Sequence, residues 1–150
     1  MTSRLQLIEA ARKWIQTPYA HKGRKRGKAA DCLFHLSICE QLGISDKYGV
    51  PIKADDYPEY DHQPKDSFIH QEAVRRLIRK SASDLLPGDM VILRYGGSVP
   101  SHSAIVGEFC SPNYNTLTLI HCDGKEIVEH ALSRAWKKRV VAAFSFPNIH

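Results

Sequence analysis

Three residues of the sequence have the side chains that a thiol hydrolase needs. Cys32 lies in the segment 29–36, where small residues lead into a predicted helix. Backbone N–H groups and the positive end of a helix dipole at such a position favour thiolate over thiol. His102 and His121, in two apolar segments further along the chain, supply a base and a group to orient it. Together the three residues predict nucleophilic catalysis by a cysteine.

Each of these residues also has a purely structural interpretation. A free cysteine is among the most buried residue types, so Cys32 taken alone is better explained as a small core residue. A lone histidine at a strand edge is likewise better explained as structural. The order and chemical types of the three residues favour catalysis. His35, three residues after Cys32, is interpreted either as a second base or substrate contact, or as a core-edge histidine bonded to backbone.

The spacing of the two histidines predicts that they are neighbours in a hairpin. If their strands flank a turn near residues 111–112, residues whose numbers sum to about 223 face each other, and His102 and His121 do so. Directly opposed residues share a face of the sheet, with Cβ atoms about 5 Å apart. We therefore expect the two imidazoles to lie side by side.

Helical periodicity in the first half of the chain predicts three helices that position Cys32. Ser3 and Gln6 have capping-box spacing before the first helix, Pro18 stops it, and Gly43 caps the end of the second. The predicted spans are about 4–16, 31 or 32 to 42, and from a cap at 66–67 to about 80. The second helix carries Cys32 and is expected to be the central core helix.

After residue 86 the hydrophobic period shortens to that of strands separated by turn signals. The predicted strands are 90–95, 102–107, 117–122, 126–129 and 140–146. Helices followed by an antiparallel sheet of about five or six strands indicate an α+β fold. The intervening segment 45–64 contains three prolines and a tyrosine-rich cluster. We predict a loop there, with aromatic residues that either line a groove or pin the loop down.

Length and composition fit one domain spanning residues 1–150. The chain is 43% hydrophobic and 25% charged, which suits a protein that buries its own core. Its first residues lead directly into an amphipathic pattern, so we expect no signal peptide, no membrane span and synthesis in the cytoplasm. The four cysteines have neither metal-site spacing nor the density of a secreted disulfide framework. A disulfide between Cys110 and Cys122 is the less favoured alternative.

Positive charge is concentrated just before Cys32. Five of the eight residues from 21 to 28 are Lys or Arg, and the chain has a net charge of +5. This segment is interpreted either as a solvated loop or as a rim that attracts an anionic partner to the cysteine. It has no interleaved aromatic residues on which bases can stack, which disfavours specific nucleic-acid binding.

Six motifs in order resemble those of the NlpC-type cell-wall cysteine peptidases. They are W-I-Q-T-P-Y at 14–19, D-C-L at 31–33, P-G-D at 87–89, H-S-A-I-V at 102–106, L-I-H at 119–121, and W-K-K-R at 136–139 with A-A-F-S-F-P at 142–147. The closing segments are most similar to the branch found in phages and gene transfer agents. The resemblance spans nearly all of residues 5–147.

The resemblance implies a papain-like α+β fold and hydrolysis of an amide bond in peptidoglycan stem peptides. In the family this is usually the bond between D-γ-glutamate and a diamino acid. By motif position, Cys32 is the nucleophile, His102 the general base and acid, and His121 the residue that orients His102. Tyr19 matches a family tyrosine beside the substrate channel. The thiol chemistry itself requires no metal or other cofactor, and the resemblance adds phage or gene-transfer-agent tail proteins as candidate partners.

The chain departs from the family pattern directly after the nucleophile. Phe34 stands where the family usually has glycine, and His35 where it has an apolar residue. Bulk at the first position predicts a pocket that is narrowed, shifted or closed. We group Asp31 and His35 with Tyr19 as candidate substrate-binding residues.

Three functions follow from these observations. The first is a peptidoglycan endopeptidase that acts at the cell wall after lysis, particle assembly or secretion. The second is a catalytically inactive or structural relative in a phage tail or its assembly. The third keeps the thiol chemistry but acts on another substrate as a hydrolase or acyltransferase, because similar folds host several acyl transfers.

Overall fold

A computed structural model describes residues 2–57, 67–95, 97, 99–113 and 115–150 of the chain. Within these residues the helices are α1 (Arg4–Arg12), α2 (His35–Leu42), α3 (Phe68–Arg76) and α4 (Arg134–Lys137), with a 3₁₀ turn at Ala82–Asp84. The strands are β1 (Arg24–Lys25), β2 (Ala29–Ala30), β3 (Ile78–Lys80), β4 (Met90–Leu93), β5 (His102–Cys110), β6 (Asn115–Cys122), β7 (Ile127–Ala131) and β8 (Val140–Ser145). No helix among the described residues is long and apolar enough to cross a membrane.

Six strands form one antiparallel sheet in the order β3-β8-β4-β5-β6-β7. All five predicted strands are present, and β3 adds a sixth at one edge of the sheet. The predicted α+β fold is therefore confirmed. The short strands β1 and β2 pair with each other in a separate hairpin that leads directly into Asp31 and Cys32.

Alternation along the strands divides the core into two clusters, one on each face of the sheet. The helix-side cluster joins Leu7 of α1 and Ile38 of α2 to Ile105 of β5, and Cys32 packs against it. The opposite cluster contains Val106 and Leu119, with Trp136 of the α4 segment packed against it. The sheet thus separates two hydrophobic regions, and the side chains of β5 face them alternately.

The P-G-D turn before β4 holds three elements together through a buried carboxylate. Asp89 is fully buried and accepts hydrogen bonds from Arg4 and Lys80, each at 2.7 Å, and from the backbone of Leu86 at 2.8 Å. Gly88 has a φ of 92°, which L residues with a side chain rarely adopt. The motif therefore ties the start of α1 to the edge strand and to the central strand β4.

Arg76, at the end of α3, anchors the described part of the segment predicted as a loop. Its guanidinium donates to Asp46 at 3.0 Å, to Asp56 at 2.8 Å and to the hydroxyl of Tyr57 at 3.1 Å. The Tyr57 ring also packs edge-on against Phe68, with centroids 5.2 Å apart. The described residues of this loop are pinned down, while 58–64 and the predicted cap at residue 66 lie outside the described residues.

Two predicted helix ends are wrong. Helix α1 ends at Arg12, because the N–H groups of Trp14 and Ile15 donate to carbonyls three residues back and Gln16 adopts a φ of 75°. Helix α3 ends at Arg76, because residues 78–80 pair with β8 instead of continuing the helix. Ile78 is consequently 46% exposed, although its spacing matches the apolar face of a helix.

Other local predictions are confirmed. Ser3 and Gln6 form both hydrogen bonds of a capping box before α1. Gly43 caps α2 in the left-handed conformation with a φ of 69°. Cys110 and Cys122 are free thiols, so the less favoured disulfide is not formed.

Candidate active site

Cys32 lies in a tight turn between the basic hairpin and α2. The Asp31 carboxylate accepts from the backbone N–H of Leu33 at 2.9 Å. The main-chain carbonyl of Asp31 accepts from the backbone N–H of Phe34 at 3.1 Å. These bonds to the nearest N–H groups delay regular helical bonding, so α2 begins at His35. The predicted helix start at residue 31 or 32 is therefore wrong by about one turn.

The second oxygen of Asp31 connects this turn to the basic segment. It accepts from the backbone N–H of Lys22 at 2.8 Å, so both carboxylate oxygens have backbone donors. Burial raises the pKa of Asp31, while the donors from Leu33 and Lys22 and the charge of Arg24 act in the opposite direction. Asp31 thereby fixes the position of the turn that carries Cys32.

The start of β5 lies directly against the Cys32 turn. The Cys32 Sγ is 4.0 Å from the carbonyl oxygen of Ser101, and the Ser103 hydroxyl donates to the Cys32 carbonyl at 2.5 Å. These two serines flank His102 in the chain. Among the described residues, the Cys32 thiol makes no hydrogen bond to the His102 ring. The fold brings the two residues to the same end of β5 without joining their side chains.

The Cys32 side chain is a neutral thiol in this geometry. Burial first, and the negative charge of Asp31 second, raise its pKa above the ordinary cysteine value. We expected a thiolate from the helix dipole, and this expectation is wrong. Cys32 precedes α2, so the loss of solvation outweighs what the first helical turn contributes.

His102 and His121 are hydrogen-bonded neighbours, as predicted. The His102 Nε2 is 2.8 Å from the His121 Nδ1, and the rings are nearly perpendicular at 79°. The register differs from the prediction, because β5 and β6 pair residues such as Ile105 and Ile120, whose numbers sum to 225. A shift of two keeps both histidines on one face and makes them diagonal neighbours.

A third imidazole, which the sequence patterns did not predict, continues this pair. The His121 Nε2 is 2.7 Å from the His130 Nε2, and the His130 Nδ1 is 2.9 Å from the carbonyl oxygen of Ala131. The predicted strand at 126–129 stopped one residue short of His130. The register of β6 and β7, which pairs Leu119 with His130, is the signal that places it on this face.

Burial keeps the inner two imidazoles neutral. It lowers the pKa of His102, and the adjacent His121 lowers it further. Burial and then His130 lower the pKa of His121, with Asp123 acting in the opposite direction. The raised pKa of Cys32 and the lowered pKa values of His102 and His121 favour a neutral thiol beside two neutral imidazoles, so attack on a substrate requires proton transfer in the same step.

Aromatic rings pack around the three histidines. The Tyr95 ring lies 4.8 Å from the His102 ring, and Trp136 lies 5.0 Å from His121 and 4.6 Å from His130. The Tyr95 hydroxyl donates to the Asp123 carbonyl at 3.0 Å. These contacts restrict rotation of the imidazoles and exclude solvent from one side of them.

Tyr19 lies beside the Cys32 turn. Its backbone pairs with that of Ala30, immediately before Asp31, and its N–H donates to the main-chain carbonyl of Lys125 at 2.8 Å. Burial raises the pKa of the Tyr19 phenol, and the negative charge of Asp31 adds to the increase. The structure thus brings the predicted residues Tyr19, Asp31 and Cys32 together.

The two residues that depart from the family pattern both face the interior. The Phe34 ring is 1% exposed and packs 5.7 Å from Trp14 in the helix-side core. The core accommodates the bulk of this ring, and a narrowed, shifted or closed pocket stays a prediction. His35 is also buried, lines a cavity with Tyr57 and Glu72, and has its pKa lowered to about 4 by burial and by Arg24.

The basic segment is an ordered hairpin that adjoins the site. Arg24 pairs with Ala30 across β1 and β2, and its guanidinium donates to the carbonyls of Ala54 and Asp56. Four other basic residues of the segment are exposed: Lys22, Lys25, Arg26 and Lys28. Their charges therefore flank the turn that holds the nucleophile.

The geometry of the histidines is that of hydrogen bonding between imidazoles. Two nitrogens that ligate one zinc ion at about 2.0–2.1 Å are farther apart than 2.8 Å in tetrahedral geometry. Among the described residues, no group of three or more His, Cys, Asp or Glu side chains is arranged to hold a metal ion. The arrangement is suited to acid–base chemistry on a group held near Cys32.

No protein-family model matches the sequence, and no curated protein matches it. Among solved structures, the chain is similar to a crystal structure of an NlpC/P60 family protein from Bacillus cereus ATCC 10987. The two share 16% sequence identity with a TM-score of 0.61, over 96% of this chain and 40% of that one. This chain therefore spans less than half the length of that neighbour. We conclude that it has the α+β fold of an NlpC/P60 family protein.

Proposed function

We propose that the chain is a single cysteine endopeptidase or amidase domain that hydrolyses an amide bond in peptidoglycan stem peptides. The observation that carries this proposal is the His102–His121 pair beside the turn of Cys32. The shared fold with an NlpC/P60 family protein supports a cell-wall peptidase in general. The bond that we favour joins D-γ-glutamate to a diamino acid.

In the proposed mechanism, His102 acts through the ring nitrogen that does not contact His121. Its Nδ1 takes the proton of Cys32 as the sulfur attacks the amide carbon, and returns it to the departing amine. Water, activated by the same nitrogen, then hydrolyses the thioester and restores the thiol. Catalytic hydrogen bonds in a free enzyme are often long, and substrate binding closes the contact between the two side chains.

A donor for the oxyanion is available at the nucleophile itself. The backbone N–H groups of Leu33 and Phe34 already donate to Asp31. Among the described residues, the N–H of Cys32 makes no hydrogen bond to another residue. We assign it to the negative oxygen that forms on the attacked carbonyl.

The charge around the site supports an anionic substrate. Exposed basic residues of the hairpin flank Cys32, and stem peptides carry free carboxylates that they attract. Tyr19 and Asp31 border the nucleophile, and we propose them, with His35, as the substrate-binding residues. Cell-wall action after lysis, particle assembly or secretion, with phage or gene-transfer-agent tail partners, belongs to the same proposal.

The decisive experiment incubates the purified protein with soluble muropeptides and follows the products by mass spectrometry. We expect fragments that together gain one water, whose masses identify the cleaved bond. The Cys32→Ala variant should yield none of them. Intact stem peptides after incubation with folded, unalkylated protein would overturn the proposed function.

A non-hydrolytic relative is the second candidate, and one observation favours it. The Cys32 thiol has a raised pKa and no hydrogen bond to His102, as expected of an unreactive cysteine. This candidate predicts that no acyl-Cys32 adduct forms with any muropeptide, ester or amide substrate. Cleavage of a simple ester without cleavage of muropeptides would instead favour a thiol hydrolase or acyltransferase with another substrate.

The pH dependence of cleavage tests the neutral resting state. His102 must be unprotonated to act as base, and burial lowers its pKa. We therefore expect the acidic limb of kcat/KM to lie below the ordinary histidine value of about 6.5. Initial rates on a soluble muropeptide between about pH 4 and 8 measure it, with circular dichroism as the control for folding. An acidic limb at or above the ordinary value would contradict this assignment.

A further inference from the structure

We infer that His130 is a positioning residue that fixes the tautomer of His102. This inference rests on the proposed function, in which His102 is the general base. It concerns a residue outside the motifs of the sequence analysis. Three imidazoles and one backbone carbonyl form a single line of hydrogen bonds from β5 to β7.

The direction of every hydrogen bond follows from the outer end of this line. The carbonyl of Ala131 can only accept, so the His130 Nδ1 donates to it at 2.9 Å. A neutral His130 then has its lone pair on Nε2, which accepts from the His121 Nε2 at 2.7 Å. This bond places the proton of His121 on its Nε2.

The same logic continues inward to the reacting nitrogen. With its proton on Nε2, His121 accepts at Nδ1 from the His102 Nε2 at 2.8 Å. His102 consequently has its proton on Nε2 and its lone pair on Nδ1. The lone pair is then on the nitrogen that the proposed mechanism uses as the base.

Reversing the line would break one bond at its exposed end. If the His102 Nε2 accepted, His121 would donate from Nδ1 and His130 would donate from Nε2. A neutral His130 would then present the lone pair of Nδ1 to the lone pairs of the Ala131 carbonyl. The backbone carbonyl therefore selects one of the two possible directions.

A histidine in the orienting position needs this external control. An amide or carboxylate there has an oxygen that always accepts, whereas a neutral imidazole accepts or donates equally well. The ring of His121 also meets the backbone of Cys122, which raises its pKa, and the acceptor at His130 favours the proton on the Nε2 of His121. His130, held by the strand pairing with Leu119 and by the Trp136 ring, supplies the missing direction.

Three substitutions of His130 separate hydrogen-bond polarity from packing. His130→Gln retains an acceptor, because the amide can turn its oxygen toward His121, and we expect kcat within about threefold of the wild type. His130→Ala removes the acceptor and should lower kcat about tenfold. His130→Lys offers only donors, which favours the wrong tautomer, and should lower kcat about 100-fold.

KM should change less than about twofold in all three variants, because the inferred role of His130 acts through His121. Asn115→Lys, which adds the same charge at the exposed far end of β6, is the matched control and should retain wild-type kcat. Equal losses in the Gln and Lys variants, or a change in KM alone, would overturn the inference.

A spectroscopic measurement reads the tautomers without any activity. Long-range proton–nitrogen NMR spectra of a ¹⁵N-labelled Cys32→Ala variant distinguish protonated from unprotonated ring nitrogens of each histidine. We expect His102 to have its proton on Nε2, and to lose this preference when His130→Lys is added. A proton on the Nδ1 of His102, or no response to His130→Lys, would refute the role of His130. The expected tautomers, together with a wild-type protein that cleaves no muropeptide, would refute the proposed function instead.

Discussion

Replacing Cys32 with alanine is expected to lower the rate of muropeptide cleavage by at least about 10⁴-fold. The variant lacks the nucleophile, so no thioester can form, and binding alone contributes little to hydrolysis. The fold should persist, because the hydrogen bond that the sulfur makes is a 4.0 Å contact to the Ser101 carbonyl. Product formation by mass spectrometry and thermal unfolding measure the two effects separately.

Two further variants complete this experiment. Cys110→Ala removes an exposed thiol at the opposite end of β5 from His102 and should retain full activity. His102→Ala removes the base and should lower kcat by about 10³-fold. Wild-type rates in the Cys32→Ala variant would eliminate the proposed thioester mechanism, whatever the products are.

Replacing Arg76 with alanine is expected to have the largest effect on stability. The guanidinium holds Asp46, Asp56 and Tyr57, and the side chains of Arg76 and Asp46 are 9% and 3% exposed. Removing one partner leaves the Asp46 carboxylate buried without its cation, which costs about 3–5 kcal/mol. For a chain of this size we expect the Tm to fall by about 10 °C.

Arg75→Ala is the matched control for this prediction. Arg75 precedes Arg76 in the same helix, but its side chain is 57% exposed and pairs with Glu72 at the surface. Such a pair contributes at most about 1 kcal/mol. Equal losses of stability in the two variants, measured by urea unfolding, would show that the buried network does not stabilise the fold.

The same network makes stability depend on pH in a defined direction. Burial alone would raise the pKa of Asp46, but donors from Val50, Arg76 and Tyr48 lower it below its ordinary value. A carboxylate with a lowered folded-state pKa stabilises the protein above its unfolded pKa of about 3.9, and this contribution is lost as the pH falls through the folded value. Arg76→Ala should therefore lose part of the acid sensitivity of the wild type.

The pairing of His102 with His121 could be predicted because it depends on alternation. Residues on one strand that differ by two share a face, so the two imidazoles remain neighbours despite the change of register. The centre of the turn could not be predicted, since several positions near residues 111–113 form a turn equally well. The hydrophobic pattern encodes on which face of the sheet a side chain lies. The register between two strands also depends on the geometry of the loop that joins them.

The start of α2 and the end of α3 illustrate what local patterns omit. Asp31 is a good capping residue, but the sequence does not reveal which N–H groups its oxygens will bind, and this choice moves the helix start to His35. Ile78 has the spacing of a helix face, yet residues 78–80 form a strand because they pair with the edge of β8. In both places a tertiary partner overrides the local preference.

The pKa of Cys32 and the position of Phe34 required the packed structure. A helix start predicts a lower cysteine pKa, but the solvation that is lost depends on the neighbours of the sulfur. Whether Phe34 fits into the core depends on the room that Trp14 leaves, and in the structure the two rings pack together. His130 is a related case, because its partner His121 is identified only by the pairing of β6 with β7.

The sheet lies between the two hydrophobic clusters, so the reacting residues are positioned by two different parts of the core. Cys32 packs with the helix-side cluster, whereas the strand alternation of β5 puts His102 on the face of Val106 and Leu119. The nucleophile and the base are thus positioned by different hydrophobic clusters, one on each face of the sheet. Interiors transmit strain because they are close-packed, so a substitution deep in either cluster will move one reactant relative to the other. Directed evolution of this protein should therefore recover many rate-altering changes in its two cores, far from any surface that a substrate touches.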